Sequence, residues 1–331
     1  MDNNLVAVTR PFAVEDKKRS WFHIVETFSV LSAVIAAAAM APWWPVRLAA
    51  SVVAGLVIVR AFILAHDFHH GAILRKNRLA EAIFFVYGLL VLTPPRIWRE
   101  SHNYHHANTA KIVGAQIGSF PVMTVEMWKR APKNKRLLYA VARHPLTMAA
   151  GYITIFLLGM CLGSFLKKPR QYWDSALAIV LHLAIVGTVT WLFGFQMTLF
   201  TVILPLVVAC ASGSYLFYAQ HNFPDIDIQP RQTWSFQKAA LESSSYMKTG
   251  PIMGWFTGHI GLHHIHHLNA AIPFYRLHET MAAIPELQLE PQTSLAPSDI
   301  LACLRLKLWD PVAHEMVPFP PDSETPARQP V

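Results

Sequence analysis

The sequence predicts an all-α integral membrane protein, with four transmembrane helices in two hairpins and a histidine-rich dimetal site where the hairpins end. Three observations lead there. Of 331 residues, 53% are hydrophobic and 15% charged, and the mean hydropathy is positive, which ordinary soluble domains do not show. Several apolar runs approach the roughly 20 residues that cross a bilayer core. The pattern H-x-x-H-H occurs three times, at His66, His69, His70, at His102, His105, His106 and at His263, His266, His267. Neutral imidazole is a ligand for Zn, Cu, Fe and Ni, so boxes this dense point to metal.

The elements follow in chain order. Residues 1–20 carry mixed charges without a basic, apolar and small-residue cleavage pattern, so they read as a cytoplasmic N-terminal segment and not as a signal peptide. Ile24 to Trp44 and Pro45 to Ala65 make the first hairpin, which returns the chain to its starting side at His66. Ala80 to Thr93 is closed by Pro94 and Pro95 and is too short to span, which suits an interfacial or re-entrant segment. The second box then lies on the same side as the first.

Three apolar runs separate the second and third boxes: Leu146 to Leu166, Ala176 to Phe193 and Met197 to Tyr218. An odd number of crossings would part the boxes, so if all nine histidines bind one centre, one run does not span. Leu146 to Leu166 is that run, because Arg143 and His144 precede it and Lys167, Lys168 and Arg170 follow it, and the positive-inside rule keeps both ends on one side. His221 follows the second hairpin as His66 follows the first. The membrane domain runs over residues 21–310. From 311 to 331 the composition turns rich in proline and polar residues, as in a disordered tail.

The formal charge of +8 gathers in clusters such as Arg75, Lys76, Arg78 and Lys129, Arg130, Lys133, Lys135, Arg136. Beside apolar segments these read as lipid-facing cytoplasmic surface. With no aromatic-basic recognition module, nucleic acid is excluded as a partner. The three cysteines, Cys161, Cys210 and Cys303, have no C-x-x-C spacing and predict neither disulfides nor a thiolate site.

On a helix, positions i, i+3 and i+4 share a face, so three boxes can enclose two metal ions. Zinc closes with three or four protein ligands, whereas eight or nine imidazoles suit two ions of higher coordination number, which favours iron and leaves zinc the alternative. His69 and His264 are surplus to the pattern, each a ligand, an outer donor or packing. Asp67 and Asp225 read either as acceptors orienting ligand imidazoles or as solvated loop acids. His23, His144, His182, His278 and His314 are isolated and read as core, interface or surface, although His182 lies mid-span, where ionisable groups are commonly functional.

H66-D-F-H-H70, H102-N-Y-H-H106, Q220-H221 and G258-H-I-G-L-H-H-I-H-H-L268, with Ile272 and Pro273 following, together resemble the membrane fatty-acid desaturases, especially bacterial acyl-lipid desaturases of the Δ12/ω6 type. The likeness runs from about residue 20 to about residue 290. It implies four transmembrane helices under a cytoplasmic helical cap that holds two Fe2+ ions, with O2 as co-substrate. The implied ligands are His66, His70, His102, His105, His106, His221, His263, His266 and His267. Relatives often have glycine at the position of His69 and asparagine at that of His259, so this chain brings extra imidazoles near the metals.

The resemblance implies an O2-dependent desaturase that puts a cis double bond into a fatty acyl chain carried by lipid, CoA or acyl-carrier protein, at the bacterial inner membrane. No His-Pro-Gly-Gly segment of a cytochrome b5 domain is present, so electrons are expected from a separate donor such as ferredoxin with its reductase. Trp98, Phe217, Trp255 and Phe256 are candidates to line an acyl tunnel, or else an interfacial belt. The alternatives are a di-iron hydroxylase or ketolase and, more remotely, a metal transporter or haem-binding membrane protein. Transporters bind near the bilayer midplane, whereas nearly all these histidines follow the ends of spans.

Overall fold

The computed structural model describes residues 4–112, 118–230 and 232–321. The helices that matter here are α1 (Lys17–Met40), α2 (Trp44–His70), α3 (Arg78–Leu90), α4 (Pro95–Asn108), α5 (Tyr152–Lys167), α6 (Trp173–Phe193), α7 (Phe195–Gln220) and α8 (His263–Leu268). Among the described residues, four are long and apolar enough to cross a membrane: α1, α2, α6 and α7. They form the two hairpins the sequence predicts.

The helix ends differ from the apolar runs for local reasons. Helix α1 starts upstream at Lys17 because the Asp16 carboxylate accepts from the N–H groups of Lys18 (2.9 Å) and Arg19 (3.2 Å), satisfying donors that a helix start leaves free. Helix α2 continues past Ala65 to His70 and stops at Gly71, whose φ of 73° is left-handed and costs glycine little. The first histidine box is therefore helical. Both hairpin tips expose aromatic rings, Trp43 and Trp44 on one, Trp191, Phe193 and Phe195 on the other, as suits a membrane interface.

The hairpins are joined by α2 and α7. At Gly55 a Cβ would stand 2.6 Å from Val208 Cβ and 2.7 Å from the Pro205 carbonyl oxygen, so only glycine permits this approach. The Ser51 hydroxyl donates to the Phe200 carbonyl at 2.6 Å. Inside the first hairpin, Arg60 is 1% exposed and donates to Thr27, Glu26 and the Trp255 carbonyl. Pairing with Glu26 at 3.1 Å offsets the cost of burying that charge.

Helices α3 and α4 bend by 94° at their break, where Pro94 and Pro95 disrupt the backbone ladder; α3 alone is too short to span. Helix α4 has no capping side chain of its own. Instead Asp174, from α6, accepts from the Arg96 N–H at 2.9 Å, and Glu100 accepts from Gln171 (2.6 Å) and Tyr172 (2.8 Å). Helix α5, the run expected not to cross, is shorter than the four spanning helices and packs Cys161 with Leu89, Leu92 and Ala178.

Beyond the helices, β1 (Met123–Thr124) pairs in parallel with β4 (Leu308–Asp310), and β4 pairs antiparallel with β5 (Glu315–Val317). Between them in the chain, β2 (Tyr246–Lys248) and β3 (Gln292–Ser294) form a parallel pair. Order thus continues past 311, where composition predicted a disordered tail: Met316 is buried, and the Lys307 N–H donates to the Val317 carbonyl at 2.8 Å. The rest of that tail, 322–331, lies outside the described residues.

Candidate metal centre

The ends of α2, α4, α7 and α8 meet, and nine imidazoles converge there in two groups. His66, His70, His102, His106 and His266 form one; His105, His221, His263 and His267 form the other. Within each group one nitrogen from each ring lies within 4.8 Å of those of the others. These are the nine positions the resemblance implies.

Ring nitrogens pack unusually closely. The Nε2 atoms of His105 and His221 are 3.0 Å apart, those of His263 and His221 2.9 Å, and those of the His106–His102, His266–His106 and His267–His263 pairs 3.1 Å. His70 Nε2 is buried with no hydrogen-bond partner among the described residues. Two donors ~2.1 Å from one ion lie roughly 3.0 Å apart at a right angle and roughly 3.4 Å apart at the tetrahedral angle. The separations fit ions with right-angled ligands, and the donor set fits two such ions.

Outer contacts turn the lone pairs inward. The His66 Nδ1–H donates to Asp67 Oδ1 at 3.1 Å, and Asp67 Oδ2 accepts from the Phe274 N–H at 2.7 Å. The His221 Nδ1–H donates to the Ser243 carbonyl at 3.0 Å. His267 Nδ1 lies 3.3 Å from the Thr109 hydroxyl. A proton on Nδ1 leaves Nε2 free to bind metal. Burial pushes His102, His105, His106, His263, His266 and His267 well below the usual imidazole range, with neighbouring imidazoles adding to the shift, and it pushes His221 down to about 4. Neutral rings are the ligand form.

The remaining candidates separate cleanly. Asp67 takes the orienting position, but Asp225 does not: it sits exposed in a left-handed turn, φ 67°, and no hydrogen bond joins it to an imidazole among the described residues. His69 is outside both groups and packs against Trp98, ring centroids 5.3 Å apart. His264 turns away and bonds to the Leu287 carbonyl at 3.0 Å, while His259 Nδ1 faces His278 Nε2 at 3.2 Å. His182 is satisfied by the Tyr152 hydroxyl at 2.6 Å, which accounts for an imidazole inside the span.

The four aromatic residues do not line one tunnel. Trp98 stacks on His102 with centroids 4.5 Å apart. Trp255 instead covers the Arg60 guanidinium at 4.2 Å, so it belongs to the first hairpin's ion-pair network, and Phe256 packs on Trp255. Phe217 lines a cavity beside His105 and His221 together with Phe120. Sequence reasoning missed Phe120, Ser243, Thr109 and Phe274; each acts through spatial neighbours far away in the chain, and no motif marks them.

Residues 42–295 match the family model described as fatty acid desaturase. A protein of Bacillus subtilis named "Fatty acid desaturase" is 30% identical, with 94% of this chain and 92% of that one aligned. An "sn-1 oleoyl-lipid 12-desaturase" of Synechocystis sp. is 23% identical over 84% of this chain and 80% of its own. An "sn-1 acyl-lipid omega-3 desaturase (ferredoxin)" of Nostoc sp. is 24% identical over 70% of this chain and 65% of its own.

Proposed function

Since the chain belongs to the fatty acid desaturase family, we propose that it is an O2-dependent di-iron enzyme that introduces a cis double bond into a lipid-linked or carrier-linked fatty acyl chain. The observation that carries this reading is the convergence of nine imidazoles, six buried and three half-buried, into groups of five and four. His66, His70, His102, His106 and His266 would hold one iron ion, and His105, His221, His263 and His267 the other. Bound there, the irons would supply reductive activation of O2 and removal of hydrogen from an unactivated C–H bond.

The chain's own residues prepare that chemistry. Asp67 and the Ser243 carbonyl hold the protons on the Nδ1 atoms of His66 and His221, fixing ring orientation. Burial of the rings keeps bulk water from the reacting carbons, which protects reactive species. Phe120 and Phe217 give the cavity beside the second group apolar walls against which methylene groups can be positioned.

Two electrons per turnover come from a separate carrier, a ferredoxin with its reductase; the Nostoc relative's name supports this. The enzyme sits in the bacterial inner membrane with its site on the cytoplasmic side. Support comes from the exposed Lys129, Arg130, Lys133 and Lys135, through the positive-inside rule. Lysates of a bacterial host expressing the chain with a ferredoxin system should yield a new unsaturated fatty acid by methyl-ester mass spectrometry. A His266→Ala control should not. Hydroxylated lipid instead, from protein that holds two irons, would replace this reading with the hydroxylase one.

A further inference from the structure

The cavity beside the second histidine group joins three chemistries. Its lining includes the imidazoles His105 and His221, the rings Phe120 and Phe217, and the cations Lys111 and Arg143, with no carboxylate among the described residues. Arg143 is 1% exposed, and among the described residues its guanidinium donates to neutral acceptors: the Pro121 carbonyl at 2.8 Å, the Tyr218 hydroxyl at 3.2 Å, the Leu306 carbonyl at 3.3 Å and the Asn222 side-chain oxygen. Its Nε–H is buried with no hydrogen-bond partner among the described residues. Lys307, 8% exposed, gives its ammonium to the Arg143 carbonyl at 2.7 Å and the Tyr218 hydroxyl at 3.4 Å. No ion pair joins Lys111, Arg143 or Lys307 to an acid among the described residues, whereas buried Arg60 has Glu26 at 3.1 Å.

Burying two cations beside each other without an anion is costly, and a bound anion would offset that cost. Positive charge and apolar rings on one cavity also select a particular ligand class. We infer that this cavity binds an amphiphile by an anionic oxygen group, a carboxylate or a phosphate, set against Arg143 and Lys111, with the first carbons of its apolar chain against Phe120 and Phe217. Identifying the amphiphile as substrate rests on the desaturase reading; the charge preference does not.

The test uses the full-length chain, iron-loaded, in detergent micelles, with calorimetric titration of laurate, lauryl phosphate and uncharged methyl laurate. At least one anion should bind roughly tenfold to a hundredfold more tightly than methyl laurate, as charge-assisted hydrogen bonds would give. A stronger response to laurate assigns the group to a free acyl carboxylate, and one to lauryl phosphate assigns it to a phospholipid headgroup. Arg143→Gln should remove the advantage and Lys111→Ala reduce it, with methyl laurate affinity unchanged in both. Equal affinities of all three ligands for the wild type would overturn the inference, as would a preference that survives both substitutions. Where Arg143→Gln does not fold, the wild-type comparison and Lys111→Ala decide. Retained charge preference in a protein without iron or desaturation would count against the proposed function and leave this site standing.

Discussion

Asp67→Ala separates a side chain that tunes the metal centre from one that merely packs near it. Asp67 is 1% exposed, meets His66 Nδ1 at 3.1 Å with one oxygen and receives the Phe274 N–H at 2.7 Å with the other. Losing a carboxylate that orients a metal-bound imidazole typically weakens metal binding 10- to 100-fold, or about 1.4–2.7 kcal/mol. The buried Phe274 N–H loses its acceptor in the same substitution, which costs a further ~1–3 kcal/mol of folding stability. Asp67→Asn keeps the shape but can accept at only one of its two polar atoms, so it should fall between alanine and wild type. Iron(II) competition against a calibrated chelator, with thermal unfolding run alongside, reads both effects. Exposed Asp225→Ala is the matched control and should change neither. Should Asp67→Ala hold iron as tightly as wild type, the orienting role is refuted, whatever happens to stability.

Three other outcomes are expected. His105→Ala and His266→Ala, one from each imidazole group, should abolish product and lower bound iron measured by elemental analysis, while exposed His314→Ala should do neither; full activity in the first two would sink the ligand assignment. Asp174→Ala removes the carboxylate that caps α4 from α6, so it should cost about 0.5–2 kcal/mol and lower iron content, with Asp174→Asn restoring much of both because an amide oxygen still accepts from the Arg96 N–H. For metal-free protein, burial pushes His221 and His264 from the ordinary 6.5 down to about 4. The folded state therefore binds fewer protons than the unfolded chain between those values, and stability present above about pH 6.5 is lost as pH falls toward about 4. Melting temperature should be level above about pH 7 and drop steeply below about 6.5; an unchanged value at pH 5 would contradict neutral burial.

What the sequence made legible followed from short-range rules. Apolar length marked the four long helices, and parity argued from the boxes singled out the run containing α5, which is shorter than those four. What stayed hidden depends on contacts between distant segments. Glu26 and Arg60 meet only once α1 folds back on α2, and Trp255 goes to that network because its carbonyl and ring, far along the chain, complete it. Asp225 follows His221 closely in sequence, yet a left-handed turn carries it into solvent. Three-residue strands such as β5 have no room to show a period of two.

The division of imidazoles between the two groups has a simple helical cause that the box pattern contains but does not announce. Residues four apart lie nearly above one another on a helix, while a residue three apart is displaced around the axis in the opposite sense. In α4 the i and i+4 positions, His102 and His106, share one group, and the i+3 position, His105, enters the other. Helix α8 repeats the rule with the groups exchanged: His263 and His267 stay together and His266 crosses over. Each of these boxes therefore serves both groups, so a tilt of either helix disturbs both. In α2 the pair His66 and His70 obeys the same rule, but its i+3 residue, His69, meets the Trp98 ring instead of a second group. Its place in the second group is filled from a different element, since His221 after α7 brings that group to four. The surplus imidazole of the first box and the isolated histidine after the second hairpin thus share one geometric origin: α2 reaches only one of the two groups, and the residue that follows α7 supplies the imidazole it does not.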